Sequence, residues 1–335
     1  MEIVRRPHAR NIVRFAADRP EVLVLSADLT SSCEADDFRD AYPDRFFSMG
    51  LAEQNMIGFA AGLAREGFAP YVHTFAVFIC RRAFDQVAMS VGYPNLRVRL
   101  IGFLPGITTP GGVTHQAIDD VGLMRLIPNM TVLECGDATE VESVIDAAHE
   151  IDGPVYLRML RGEVPRLFEP AEPFRLGAAR VLSEGSDLTA ITAGICTEEA
   201  LRAGAALAER GVALHHLHVS TLKPFDDPVV RGALASARGG VITMENHSVI
   251  GGLGSAVAEL MAESGSGARL HRLGLRDVYA HGASREYLLR EHGLDAAGLI
   301  AAAERALDAR FDISAEELAA VRIDAPDGAV NPEAL

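Results

Sequence analysis

Residues 46–66 read "FFSMGLAEQNMIGFAAGLARE", a helical pattern over 52–66 made of small and apolar residues, with Glu53 at its mouth and Gln54 and Asn55 beside it. No basic residue follows Glu53 in the stretch before Arg65. The flanks decide the fold. "EVLVLSAD" (21–28) precedes the segment and "YVHTFAVF" (71–78) follows it, both short, apolar and rich in β-formers. The same alternation continues through "VRLIGF" (98–103), "TVLEC" (131–135) and "PVYLRML" (154–160), with helical patterns at 81–92, 115–127 and 138–150 between them. Strands alternating with helices predict α/β layers with a parallel sheet. Asp137, with Glu140 three residues later, is a helix start signal for 138–150.

Proline punctuation in "PRLFEPAEP" (165–173) marks a linker, after which a second alternating block begins at "DLTAITAG" (187–194). That block runs through helical patterns at 197–210, 227–237, 252–264 and 284–308, interleaved with "VALHHLHV", "GVITMEN" and "ARLHRLGL". The expectation is two doubly wound α/β domains, 1–165 and 187–310, joined by a linker at 166–186. Residues 311–335 read as an acidic, aperiodic tail that either lies over a partner or is loosely ordered. No internal repeat is visible.

Composition supports two cores, since 335 residues with 49% hydrophobic content exceed the usual single-core size. A net charge of −15 argues against nucleic acid or an anionic membrane as partner. A phosphorylated substrate therefore needs a local arginine cluster. The four cysteines, Cys33, Cys80, Cys135 and Cys196, form no Cys-x-x-Cys pair and follow no signal peptide, which predicts reduced core thiols and a cytoplasmic location. No apolar run approaches the roughly 18 residues of a membrane span.

Four sequence features could carry chemistry. "GGLGS" (251–255) lacks G-x-G-x-x-G spacing, so close helix packing is the better reading than a dinucleotide site. "HHLH" puts His216 and His218 on one strand face, but no neighbouring carboxylate or cysteine completes a metal set. His115, after the glycine loop of "TPGGVTHQ", opens a predicted helix, where a helix cap and a functional base are equally good readings. Glu53 taken alone is a first-turn acid favoured by the helix dipole.

Taken together, "SADLTSS" (26–32), "GLAEQNMIGFAAGLA" (50–64), "PYVHTFAVFICRRAFDQV" (70–87), "GGVTHQ" (111–116), "DATEVESVI" (137–145), "STLKPFD" (220–226) and "ENHSVIGGLGSAVAE" (245–259) resemble the carboxyl-terminal half of a transketolase. The resemblance runs in order over nearly the whole chain, covering that family's pyrimidine-binding domain and its smaller C-terminal domain. It lacks the Gly-Asp-Gly to Asn-Asn stretch with which the family binds magnesium and diphosphate. The resemblance therefore implies a split enzyme: an N-terminal, diphosphate-binding subunit on another polypeptide holds most of the Mg2+ site, with two copies of each chain. It implies thiamine diphosphate as cofactor and transfer of a two-carbon ketol unit from a ketose phosphate to an aldehyde. Glu53 matches the glutamate that hydrogen-bonds a pyrimidine ring nitrogen and stabilises the imino form of the cofactor's aminopyrimidine. Phe75 and Phe78 match rings that stack on the pyrimidine, although strand core is their other reading, and Asp28 falls near the cofactor. Arg10, Ser32 and Arg161 match positions that grip the sugar phosphate, a set chemically apt for a dianion; apart from the resemblance, both arginines also read as ordinary surface residues. His115 is implied to orient, or exchange protons with, the sugar hydroxyls.

Two departures bear on specificity. Phe103, in "GFLPG", stands where the family has a histidine, and Gly111 stands where it has an aspartate. Loss of a donor and an acceptor leads to the expectation of a non-standard sugar phosphate, unless His73 or a partner residue replaces the contacts. The rival readings are the β subunit of a 2-oxo acid dehydrogenase's decarboxylating component and a silent scaffold subunit. Glu34 has no matched role.

Overall fold

A computed structural model describes residues 1–321 and Ile323, and the remainder of the acidic tail lies outside the described residues. The first region contains β1 (Ile3–Arg5), β2 (Val22–Ser26), β3 (Phe46–Ser48), β4 (Ala69–Phe75), β5 (Arg99–Phe103), β6 (Thr131–Glu134), β7 (Val155–Met159) and β8 (Glu163–Pro165). The second contains β9 (Arg180–Ser183), β10 (Leu188–Thr192), β11 (Leu214–His218), β12 (Thr221–Lys223), β13 (Val241–Ser248) and β14 (Leu270–Leu275). Two parallel-dominated sheets result, so the fold is the expected α/β pair of doubly wound domains. Strands β2, β4, β5, β6 and β7 are buried along their whole length, because helices cover both sheet faces.

The larger sheet has the order β12-β6-β7-β5-β4-β2-β3, and the smaller β14-β13-β10-β11-β9. Strand β12 comes from the second block of sequence yet pairs antiparallel with β6, stitching the two domains together. At three residues it is too short to show a period-two pattern. Strand β9, within the linker segment 166–186, pairs antiparallel with β11.

Several helices differ from their sequence readings. The pattern at 81–92 is wound as π-helical turns at Phe78–Arg82 and Val87–Gly92 around a short α segment, Phe84–Gln86. The pattern at 138–150 breaks into Ala138–Val141 and Val144–Glu150, and Asp137 caps the first by accepting from Glu140 N. The helix expected from 115 begins only at Asp120, so His115 lies in a turn rather than opening a helix. An unpredicted helix, Pro7–Ala16, starts with proline at its first position and buries Ile12 and Phe15. Inside the segment read as aperiodic tail, Ala315–Ala320 is helical, with a capping box of Ser314 and Glu317, and Phe311, Ile313 and Leu318 pack on the second core.

That second core also takes in Ile107 and Ile118 from the loop after β5. The loop is thereby anchored from both domains. All four cysteines are buried and unpaired. Among the described residues no helix is long and apolar enough to cross a membrane.

Candidate active site

Strands β3, β2, β4, β5 and β7 run parallel, so the segments that follow them emerge at one edge of the sheet. In open α/β sheets this carboxyl edge is where ligands bind. Glu53 follows β3, Ser32 follows β2, Phe75 ends β4 with Phe78 and Arg82 just beyond, His115 follows β5, and Arg161 follows β7. Topology alone thus gathers residues scattered from 32 to 161 in the chain.

Their contacts form a continuous strip. The Phe75 and Phe78 rings lie 6.0 Å apart and nearly parallel, at 20°. The His115 ring meets both edge-on, at 6.0 Å and 5.7 Å. Arg161 stands 5.9 Å from the Phe75 ring centre and donates to the Ser32 carbonyl oxygen at 3.1 Å. At the other end, the Arg82 guanidinium carbon lies 4.4 Å over the Phe78 ring, and Arg82 Nη1 donates to both Glu53 oxygens at 2.8 Å. The Glu53 side chain is 0% exposed, whereas that of Arg82 is 44% exposed. The carboxylate that has no cation nearby in sequence therefore has one in space.

The structure does not bring every candidate to the strip. Arg10 is exposed and donates instead to the Arg5 carbonyl oxygen at 3.1 Å. Asp28 is exposed, and its charge is felt by the Cys33 thiol, which burial pushes well above its ordinary range. Phe103 is fully buried, its ring packed against His8 at 5.4 Å and His73 at 6.1 Å. It lies beneath the cleft rather than in it, so the expectation that it directly shapes the substrate pocket is corrected. His73 is no substitute contact: it is fully buried, its Nδ1 faces the Tyr71 carbonyl oxygen at 3.1 Å, and its Nε2 faces His8 Nε2 at 2.9 Å. Burial lowers the His73 pKa to about 4, which keeps that ring neutral.

Three positioning residues escaped the sequence reading. Arg81 donates to Asp119 at 3.0 and 3.1 Å and to the Gln116 carbonyl oxygen at 3.2 Å, clamping the His115 loop. Gln116 in turn donates to the His281 carbonyl oxygen of the second domain at 3.2 Å. Glu34, almost fully buried, accepts from Gly162 N at 2.6 Å and Ala9 N at 3.2 Å, tying the turn that bears Arg161 to the first helix. Burial raises the Glu34 pKa against these donors. His115 itself is lightly held: Nδ1 meets Thr114 Oγ1 at 2.9 Å, and Nε2 makes no hydrogen bond among the described residues. Arg161 also lines a cavity of about 280 Å3 between the domains, together with Leu104, Thr108, Ile195 and Arg285.

The "HHLH" histidines belong to a sealed network instead. His216 Nε2 pairs with Thr192 Oγ1 at 2.9 Å and His218 Nδ1 with Thr197 Oγ1 at 2.6 Å. His218 Nε2 meets Glu140 Oε2 at 3.1 Å, a carboxylate from 78 residues away that the sequence reading had no reason to place there. Burial alone would raise Glu140, but His218 and the Ser220 hydroxyl reverse this and hold it at about 2. The described residues contain no group of three or more His, Cys, Asp or Glu side chains arranged to hold a metal ion. At "GGLGS", a Cβ on Gly252 would fall 2.0 Å from Glu245 Oε2, and Glu245 accepts from Leu253 N and Gly254 N at 2.6 and 2.9 Å. The glycines there admit close packing of a helix terminus on a carboxylate.

Residues 6–166 match the transketolase pyrimidine-binding domain model, and residues 177–299 match the transketolase C-terminal domain model. The chain is 37% identical to a protein described as a putative transketolase C-terminal section in Methanocaldococcus jannaschii, over 87% of this chain and 92% of that one. It is 41% identical to a 6-deoxy-6-sulfo-D-fructose transketolase subunit of a Clostridium species, over 87% and 90% of the two chains. A solved split-gene transketolase, described as an inactive beta4 tetramer, superposes with a TM-score of 0.83 at 40% identity, covering 90% of this chain and 97% of that one.

Proposed function

The chain belongs to the transketolase family, and from that premise we propose that it is the pyrimidine-binding subunit of a split transketolase that moves a two-carbon ketol unit between sugars. One observation carries this reading: a fully buried carboxylate, Glu53, stands at the end of a paired aromatic platform, Phe75 and Phe78, on the carboxyl edge of a parallel sheet. An aminopyrimidine needs these two things, a carboxyl group for its ring nitrogen and an aromatic face for its plane. The residues present thus fit thiamine diphosphate. When bound, that cofactor supplies the carbon nucleophile that accepts the ketol unit.

The chain's own side chains divide the remaining work. Glu53 would hold the pyrimidine ring nitrogen and share a proton with it. His115, edge-on to both rings and with no hydrogen bond at Nε2 among the described residues, orients sugar hydroxyls and moves protons among them. Arg161, close to Phe75 and to the Ser32 carbonyl oxygen, binds the anionic end of the sugar. Asp28 and Arg10 stand apart from this end in the structure, and Arg10 joins it only by leaving the Arg5 carbonyl oxygen. The diphosphate and its Mg2+ are held by the N-terminal subunit, two copies of each chain forming the assembly. The relatives support the transketolase reading over the dehydrogenase β subunit, and one of them is described as acting on a sulfonated fructose. Here the proposed donor is a sugar phosphate outside the standard pair.

The test is reconstitution. This chain alone is expected to bind thiamine diphosphate poorly and to show no turnover. Co-expression with a companion carrying the Gly-Asp-Gly to Asn-Asn stretch is expected to restore ketol transfer. Robust activity from the chain alone, or pyruvate decarboxylation without ketol transfer by the pair, refutes the proposal.

A further inference from the structure

Arg82 makes, in one side chain, both contacts just assigned to the aminopyrimidine. Its guanidinium, a planar nitrogen-rich group, lies 4.4 Å over Phe78 and spans both Glu53 oxygens at 2.8 Å. Cationic guanidinium groups stack on aromatic faces and pair with carboxylates, so this placement is chemically stable without a ligand. We propose that Arg82 is a latch that stands in for the aminopyrimidine in the cofactor-free subunit and must swing out before the cofactor can engage Glu53.

The geometry allows that movement. The Arg82 side chain is 44% exposed, and its carbonyl oxygen accepts from Gln54 Nε2 at 3.0 Å, which ties the backbone to the helix Glu53–Arg65. Opening is therefore a side-chain rotation into solvent, with the main chain held. The π-helical turn Phe78–Arg82 creates the coincidence, because it carries both the ring and the guanidinium that lies over it. The latch has a use in a subunit that folds apart from its partner. It keeps a fully buried carboxylate paired until the assembled cleft delivers a better occupant, and it reduces the apparent cofactor affinity by the fraction of time it is closed.

This inference rests on the cofactor reading, so its test separates the two. Thiamine diphosphate binding is measured by calorimetry on the assembly with the diphosphate-binding companion, using the unsubstituted chain, Arg82→Gln and Arg82→Lys. Arg82→Gln is expected to tighten cofactor binding about tenfold, or about 1.4 kcal/mol. Arg82→Lys, which keeps the charge but loses the planar stack, is expected to fall between, and it serves alone if the glutamine variant does not fold. The isolated Arg82→Gln subunit is expected to melt at a lower temperature, since Glu53 is left buried without a cation. Unchanged or weaker binding in the variants, with normal binding in the unsubstituted assembly, overturns the latch and leaves the cofactor reading standing. Absence of binding in the unsubstituted assembly overturns both.

Discussion

The strip from Glu53 to Arg161 and the network around Arg158 are both dense in charge, yet they are built on opposite principles. Arg158 is 1% exposed and each of its guanidinium nitrogens has an acceptor: Nε and Nη2 to Asp120, Nη1 to Glu134, and Nη2 also to the Ala117 and Asn246 carbonyl oxygens. Tyr156 donates to the same Asp120 at 2.6 Å. Through Asn246, this network spans both domains. In the strip, by contrast, Arg82 and Arg161 each have an open side, and His115 Nε2 has no hydrogen-bond partner among the described residues. Completed hydrogen bonding makes a charge architectural. Incomplete hydrogen bonding beside solvent leaves it available to a ligand.

The largest effect should come from breaking the completed side. Arg158→Met leaves Asp120 and Glu134 buried without a cation, and loss of one partner from such a cluster costs roughly 3–5 kcal/mol. Chemical denaturation should show a midpoint shift of that size. Adding Asp120→Asn and Glu134→Gln should recover part of it, since the uncompensated charges go too. A single variant as stable as the unsubstituted chain would show that the network is not what joins the domains.

Glu53→Gln tests the open side and should do the reverse. Turnover of the assembled enzyme is expected to fall about a hundredfold, the usual loss when a positioned acid-base group is removed. The unfolding midpoint should barely move, because the half-exposed Arg82 can rehydrate. Glu34, which has no matched role in sequence, is not a silent control: Glu34→Gln disturbs acceptors used by Gly162 N and Ala9 N, and so the turn that bears Arg161.

These contrasts show what was readable in the chain. Glu53 could be found because it sits in a first turn beside a strong local motif, and the parallel order of strands followed from their alternation with helices. Arg82 could not be found as its partner, because the pair is 29 residues apart and depends on π-helical winding that no simple period announces. Arg158 looked like an ordinary strand residue in "PVYLRML", since its partners come from the loop after β5 and the helix start at Asp120, from β6 and from β13. The histidine pair in "HHLH" looked short of a carboxylate because Glu140 is distant in sequence. Long-range polar pairing, unlike hydrophobic period, leaves no local trace.

A smaller effect isolates one buried histidine. Burial, with the nearby His218 and His215 adding to it, lowers the His216 pKa to about 3, against an unfolded value near 6.5. The unfolded chain therefore binds the extra proton between these values. The stability due to neutral His216 is present above pH 6.5 and is lost as pH falls toward about 3. Within that window the loss is about 1.4 kcal/mol per pH unit. His216→Gln should flatten the acid limb of the stability profile by that slope while leaving turnover of the assembled enzyme unchanged. An unchanged slope would place the acid sensitivity elsewhere, in His8 or His73, whose values burial also lowers.

The smallest expected effect is the one that bears on substrate choice. A Cβ at Gly111 would lie 3.2 Å from His115 Cβ and Cγ and 3.3 Å from Nδ1, tight enough that the imidazole must give by a few tenths of an ångström. The ring can do so, since among the described residues its one hydrogen bond is to Thr114 Oγ1 and it packs edge-on against Phe75 and Phe78. Gly111→Asp therefore combines two changes, a small shift of His115 and a new acceptor beside the sugar. Gly111→Ala supplies the shift alone. Both variants should stay within about 0.5 kcal/mol of the unsubstituted chain in stability, because the site is an exposed loop. Both should lose a few-fold in kcat/KM on the enzyme's own best sugar, as small misplacements of a catalytic group do. Only Gly111→Asp should then regain ground on the xylulose 5-phosphate and ribose 5-phosphate pair, because only it restores an acceptor for the hydroxyl beside the ketone of xylulose 5-phosphate. Competition assays on the three assemblies measure this ratio. Equal ratios for the alanine and aspartate variants would mean that specificity is set away from this loop, with the interdomain cavity beside Arg161 the next place to substitute.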